Sequence, residues 1–311
     1  MIVASPTSPF LPGLKLDHSR GTGPFHFLLV PGLVPDGPET FLRQKAMFLS
    51  KGDVSTANWP DEFFSLDEAI QGIAAFVDHA ILARRKPVLV GVSVGGGIVL
   101  EYLRRMREEG ASPDLAGLIL VSPLVCTGDI SPLLKRLWDP IVSDSGDPVR
   151  ALEKGRSFFR QLASKSAGQK PATQGWKRIF ATLTPAGIAE LADAPIRERI
   201  ERTLERIPPH GAIQRCKALG LLPGLETGQK AKDGLTKAPT LLLWGSKERH
   251  TLDMDGPGTG TLCRPDLAER HFPSAEIHWI YTKKGEPVPH ASLLKHHKAF
   301  ARPLKRFLKR I

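Results

Sequence analysis

The stretch Lys86-Pro87-Val88-Leu89-Val90-Gly91-Val92-Ser93-Val94-Gly95-Gly96-Gly97-Ile98-Val99-Leu100 decides how this chain is read. Val88-Leu89-Val90 has the composition of a strand buried in a parallel sheet, and Ile98 to Met106 places apolar residues at helical spacing. Between them, Gly91-Val92-Ser93-Val94-Gly95 puts one serine on a sharp turn, with glycines on both sides that let the backbone bend tightly. A hydroxyl held where a strand's carboxyl end meets a helix N-terminus is exposed for reaction. The first helical amide there, that of Val94, faces any oxyanion that forms, and the helix dipole favours the negative charge. Ser93 is therefore the candidate nucleophile.

Working outward, the strands and helices alternate. Phe25 to Val30 reads as a buried strand followed by the loop Pro31-Gly32-Leu33-Val34-Pro35-Asp36-Gly37, and a helix is expected from Glu39 to Ser50. Val54 to Trp59 is a further strand, and Ser65-Leu66-Asp67-Glu68 is a capping box opening a helix that reaches Arg84. Leu115 to Val121, Thr240 to Trp244 and Ala275 to Tyr281 supply the remaining strands. Such alternation requires mostly parallel pairing, with helices covering both faces of the sheet. Between Leu124 and Lys237 the pattern changes to short helices broken by Pro and Gly, over Pro132–Ile141, Pro148–Ser164, Trp176–Leu183, Pro195–Arg206 and Ala212–Leu219. The chain thus divides into a core, 1–123 with 238–311, and an inserted helical segment, 124–237, that would roof the turn at Ser93. A terminal helix is expected to lay Leu293, Leu294, His297, Phe300, Leu304, Phe307, Leu308 and Ile311 on one stripe against the sheet, with Pro303 kinking or restarting it.

Composition sets the bounds. At 311 residues, 41% hydrophobic and 24% charged, the chain can bury the core of one large α/β domain with an insertion. No apolar run reaches membrane-spanning length, and Met1 to Leu16 has Ser and Pro where a signal peptide needs a basic start and an apolar stretch. Cys126, Cys216 and Cys263 are odd in number and lack metal-ligand spacing, which points to reduced thiols and a cytoplasmic setting. The net charge of +11 gathers in 124–237 and after His290, where no acidic residue occurs. No nucleic-acid signature accompanies it, so the excess reads as solvated surface and no nucleic-acid partner is expected. His250, Asp253 and Asp255 lie close together without a metal-ligand pattern, and Gly256 to Gly260 lacks the Gly-Lys-Ser/Thr ending of a nucleotide loop. Neither a metal nor a cofactor is called for.

A serine hydroxyl needs a base, and His290 is the histidine best placed for it. It follows the last strand in the loop Gly285-Glu286-Pro287-Val288-Pro289-His290, whereas His296 and His297 fall in the terminal helix and His26 and His278 in strands. The base in turn needs a carboxylate. Glu248 stands directly after the strand ending Trp244-Gly245; Asp253 and Asp255 in the same loop, and Asp129 beyond the strand ending at Val121, are the alternatives.

With Ser93, Glu248 and His290 in the chain order nucleophile, acid, base, the sequence resembles the α/β-hydrolase fold superfamily over most of its length. Pro31-Gly32-Leu33 resembles the family's early His-Gly-x loop, whose amide after the Gly completes the oxyanion hole; by position that amide is Leu33's. Trp244-Gly245-x-x-Glu248 is similar to its Trp-Gly-x-x-Asp, and 124–237 to its mobile cap. The chain departs at Pro31 for His, Glu248 for Asp and Pro289 for Gly, in the longer loop after the acid, and in a region before Phe25 too short for a complete N-terminal β-hairpin. The resemblance implies a serine hydrolase that cleaves a small carboxylic ester or thioester through an acyl-enzyme. Relatives that use Asp at the elbow, the haloalkane dehalogenases and epoxide hydrolases, are disfavoured. An acyltransferase on the same scaffold, peptide or carbon–carbon bond hydrolysis, and a noncatalytic binder stand as rivals. Trp138, Phe158, Phe159, Trp176 and Phe180 are candidates either for an acyl pocket or for the inserted segment's own core.

Overall fold

Successive residues of a strand face opposite sides of a sheet, so strands that are apolar at consecutive positions need two covering layers. In the computed structural model, which describes residues 14–33, 35–143, 147–153, 198, 202–203, 205–225 and 234–311, they have them. The strands are β1 (Lys15–Ser19), β2 (Phe25–Val30), β3 (Gly52–Asn58), β4 (Lys86–Val92), β5 (Gly117–Val121), β6 (Thr240–Gly245) and β7 (Ala275–Ile280). They form one seven-stranded sheet in the order β1-β3-β2-β4-β5-β6-β7. Only β1 runs antiparallel, against β3; the other pairings are parallel.

Leu28, Val30, Leu89, Leu118, Leu120 and Leu242 pack on one face with the helices α3 (Leu66–Leu82) and α4 (Val94–Glu108). Phe27, Leu29, Val88, Val90, Ile119, Val121, Leu241 and Leu243 pack on the other with Phe300, Leu304 and Phe307 of the terminal helix His297–Phe307 and its C-cap Leu308. The Ser65 hydroxyl accepts from the Glu68 N–H at 3.3 Å, capping α3 as its sequence predicts. Chain direction along the sheet reverses between β2 and β4. The pairing of Val30 with Gly91 sets the loops after these strands side by side at the carboxyl edge, the crevice where open α/β sheets hold their ligands.

Three expectations are corrected. The helix read over Glu39 to Ser50 is two short pieces, α1 (Gly37–Thr40) and α2 (Lys45–Leu49). The turn between them lets Phe41 and Phe48, each 1% exposed, enter one core while the Gln44 amide reaches the Leu293 carbonyl at 2.7 Å. Of the two expectations at Pro303, a kink or a restart, the structure excludes the restart: the terminal helix runs through it, with buried Phe300 and Leu304 packed against the core on either side. It begins at His297, with His296 as its N-cap, so Leu293 and Leu294 reach the core from the preceding loop. The residues before Phe25 add the edge strand β1, described from Leu14 onward.

Within 124–237, the expected helices at 132–141 and 212–219 are found as Pro132–Val142 and Pro209–Gly220, packed against each other. Of those expected over 148–164 and 195–206 only 147–153 and a few residues from 198 onward are described, and 176–183 lies outside the described residues, as do Phe158, Phe159, Trp176 and Phe180. Trp138 packs against the larger core.

Candidate active site

Ser93 joins β4 to α4 with φ 51° and ψ −123°, a left-handed conformation that costs a non-glycine residue about 1–3 kcal/mol. The surrounding bonds over-determine it. Its N–H donates to the Val121 carbonyl at 2.9 Å, and its own carbonyl accepts from Gly96 N–H at 2.9 Å and Leu124 N–H at 3.0 Å. The strain thus falls on the serine itself, and the flanking glycines serve close approach. A Cβ on Gly91 would lie 2.6 Å from the Gly96 Cα, and one on Gly95 would lie 2.1 Å from the Pro31 carbonyl oxygen.

His290 and Glu248 arrive from separate loops. His290 Nε2 is 3.0 Å from Ser93 Oγ, and His290 Nδ1 is 2.6 Å from Glu248 Oε2. Glu248 opens a short 3-10 turn after β6 and is 1% exposed. A buried carboxylate must be saturated with donors. Its Oε1 accepts from Gly245 N–H at 2.7 Å and from the Ser122 hydroxyl. Ser122, fully buried just past β5, also accepts from Ala291 N–H at 3.1 Å. It therefore ties Glu248 to the residue after His290, and both Ser122 (φ 46°) and Ala291 (φ 47°) have positive φ. Sequence reasoning missed Ser122. Its only signal was its place two residues beyond Leu120 at a strand's carboxyl end, level with Ser93.

The alternative acids are engaged elsewhere. Asp129, 0% exposed, accepts from Gly258 and Thr259 N–H at 2.8 Å each and from Val125 N–H at 3.1 Å, so it pins the long loop after the acid to the end of β5. Burial pushes its carboxyl above the usual carboxylate range, against those amides. Asp253 accepts from Asp255 N–H, and Asp255 is exposed and paired with Arg264 at 3.2 Å. Of these carboxylates the structure brings only Glu248 to His290.

The loop after β2 supplies the other wall. A Cβ on Gly32 would come 3.3 Å from Ser93 Cβ, so this loop passes over the serine at a separation that favours glycine. Among the described residues neither the Leu33 N–H nor the Val94 N–H has a protein acceptor, which leaves both free for a ligand oxygen. Also among the described residues, no group of His, Cys, Asp or Glu side chains is arranged to hold a metal ion, and no helix is long and apolar enough to cross a membrane.

The same architecture occurs widely among solved structures. The chain is similar to the esterase EaEST from Exiguobacterium antarcticum (TM-score 0.57, 16% identity, 95% of each chain covered). It is also similar to the esterase RhEst1 from Rhodococcus sp. ECU1013 (TM-score 0.61, 13% identity, 96% of each chain). A Bacillus megaterium epoxide hydrolase gives a TM-score of 0.55 at 13% identity over 96% of this chain and 98% of that one. No curated protein matches the sequence. At these identities the likeness is one of fold. Residues 11–302 match the model of the alpha/beta hydrolase family, and with that span covering nearly the whole sequence the chain belongs to this family.

Proposed function

We propose that this protein is a serine hydrolase acting on a small carboxylic ester or thioester through an acyl-enzyme. The observation that carries the reading is the continuous relay Ser93 Oγ, His290, Glu248, at 3.0 and 2.6 Å, with the serine on a strained turn at the switch point of the sheet. As His290 Nε2 takes its proton, Ser93 Oγ attacks the carbonyl carbon and the carbonyl π electrons move onto oxygen. The Leu33 and Val94 amides hold that oxyanion, and buried Glu248 stabilises the imidazolium. Collapse expels the alkoxide or thiolate, which takes the proton from His290. Water, deprotonated by the same ring, then cleaves the acyl-serine bond and restores Ser93. None of these steps requires a cofactor.

An epoxide hydrolase is among the similar folds, but position 93 carries a hydroxyl where the sequence comparison above associates that chemistry with an aspartate. Helices Pro132–Val142 and Pro209–Gly220 support reading 124–237 as a cap. The free cysteines Cys126, Cys216 and Cys263 suit a reducing compartment, and we assign the protein to the cytoplasm.

The test is labelling of the purified protein by a fluorophosphonate, with turnover of an ester and thioester panel. Ser93→Ala is expected to abolish labelling and to lower turnover by about 10⁴-fold or more with the fold intact. Absence of labelling in the wild type, or full turnover by Ser93→Ala, overturns the reading and favours a noncatalytic binder or a different nucleophile. Product appearing only when an acceptor alcohol, amine or thiol is supplied points instead to an acyltransferase.

A further inference from the structure

A planar trans peptide points its C=O and its N–H in opposite directions, so fixing one fixes the other. The peptide joining Gly32 to Leu33 carries the Leu33 N–H, and its carbonyl, that of Gly32, accepts from the indole N–H of Trp59 at 2.8 Å. The next peptide begins with the Leu33 carbonyl, which accepts from Arg215 Nη1 at 3.2 Å. Both donors are themselves held. Trp59 is 1% exposed beyond the end of β3, with its ring edge-on to Phe64 at 5.1 Å. Arg215, 2% exposed on the helix Pro209–Gly220, donates to the carbonyls of Trp59 at 3.0 Å and Pro60 at 3.2 Å and pairs with Asp36 at 3.2 Å. Asp36, also 2% exposed, lies further along the same loop and takes a second guanidinium, that of Arg206. A guanidinium this deeply buried is tolerated only when its charge is paired; both Nη groups of Arg215 are engaged, which determines its position, while its Nε–H has no partner among the described residues.

We infer that Trp59 and Arg215 are positioning residues for the oxyanion donor: they hold the peptides on either side of the Leu33 Cα and thereby set the direction of the Leu33 N–H beside Ser93. The inference rests on the acyl-enzyme reading above. An oxyanion donor is effective only if it is oriented before charge develops, since any reorientation during reaction adds to the barrier. A flexible loop containing Gly32 has no such orientation of its own. Trp59 fixes the peptide that bears the donor, and Arg215 fixes the one after it while bracing the Trp59 backbone. Because Arg215 belongs to 124–237, that segment contributes to the geometry of the edge that carries Ser93.

The experiment compares the full chain with Trp59→Phe, with 3-benzothienylalanine at position 59, and with Arg215→Lys. Benzothienylalanine keeps the shape of the indole and removes only the donor; lysine keeps the charge but cannot span the acceptors that the guanidinium reaches. Four readouts are taken: the end-point stoichiometry and the rate of fluorophosphonate labelling, kcat and KM for p-nitrophenyl acetate, and inhibition by a trifluoromethyl ketone, whose adduct bears an oxyanion. The expected result is unchanged stoichiometry and KM, with kcat, labelling rate and ketone affinity lowered together by about tenfold to a hundredfold. A purely structural role would lower the stoichiometry instead, and that outcome for the benzothienylalanine protein overturns the inference. So does a fully labelled variant whose kcat stays within about twofold of wild type, or one whose kcat falls with ketone affinity unchanged. Failure of the wild type to label removes the acyl-enzyme reading itself and this inference with it.

Discussion

Replacing Glu248 by glutamine changes one buried atom and should stop catalysis for a reason that can be read from its partners. A carboxylate only accepts hydrogen bonds, and Glu248 uses Oε1 for Gly245 N–H at 2.7 Å and the Ser122 hydroxyl, and Oε2 for His290 at 2.6 Å. A glutamine has one acceptor oxygen left. The Gly245 N–H is a backbone donor that cannot turn away, so the amide oxygen must face it and the NH₂ must face His290. That NH₂ donates to Nδ1 and moves the ring proton to Nε2, where it points at Ser93 Oγ, 3.0 Å away, and the ring can no longer accept the hydroxyl proton. The negative charge that stabilises the imidazolium is lost as well. A triad held in the wrong tautomer loses about 10⁴-fold in kcat, about 5.5 kcal/mol of barrier. The assay is steady-state hydrolysis of p-nitrophenyl acetate on titrated enzyme, with KM expected close to wild type. A fully titratable Glu248→Gln protein with kcat within about tenfold of wild type would refute the tautomer argument and the role of Glu248.

Three further outcomes follow from the same structure. Asp129→Asn sets an NH₂ against either the Val125 or the Gly258 and Thr259 amides, so it should cost about 1–3 kcal/mol in chemical denaturation yet leave kcat almost unchanged; a loss of kcat as large as that of Glu248→Gln would make Asp129 the acid. Gly95→Ala forces a Cβ to within 2.1 Å of the Pro31 carbonyl, backbone against backbone, and should lower Tm by several degrees at least, by about 2 kcal/mol or more; an unchanged Tm would mean that the turn relaxes freely. Burial beside His18 lowers the His26 pKa from 6.5 to about 4, although Asp53 opposes the shift. The unfolded chain therefore binds a proton that the folded chain refuses as pH falls from 6.5 toward 4, and stability should drop by about 2–3 kcal/mol between about pH 7 and pH 4.5. Denaturation curves of wild type and His26→Leu across that range should show the slope reduced in the variant; equal slopes would remove His26 as its source.

The sequence by itself determined the elements whose cause is local. Apolar runs bounded by Pro and Gly marked β2, β4, β5 and β6, and the serine turn was legible because a strand, a glycine-flanked bend and the start of a helix follow one another directly in the chain. His290 was legible from its loop after the last strand. The helix broken into two near Phe41 was not, since the break answers to where Phe41, Gln44 and Phe48 find partners in the folded core. The same holds within the site. Its place after Trp244-Gly245 favours Glu248 over Asp129, Asp253 and Asp255 along the chain, but only the folded loops show that Asp129 faces three backbone amides while Glu248 faces a histidine ring. Ser122, Trp59 and Arg215 carry no motif, and their partners lie from 27 to 182 positions away in sequence. Local geometry is encoded by neighbours and can be read from them. The direction of a buried polar group is decided by which donors and acceptors the fold delivers to it, and those come from distant parts of the chain.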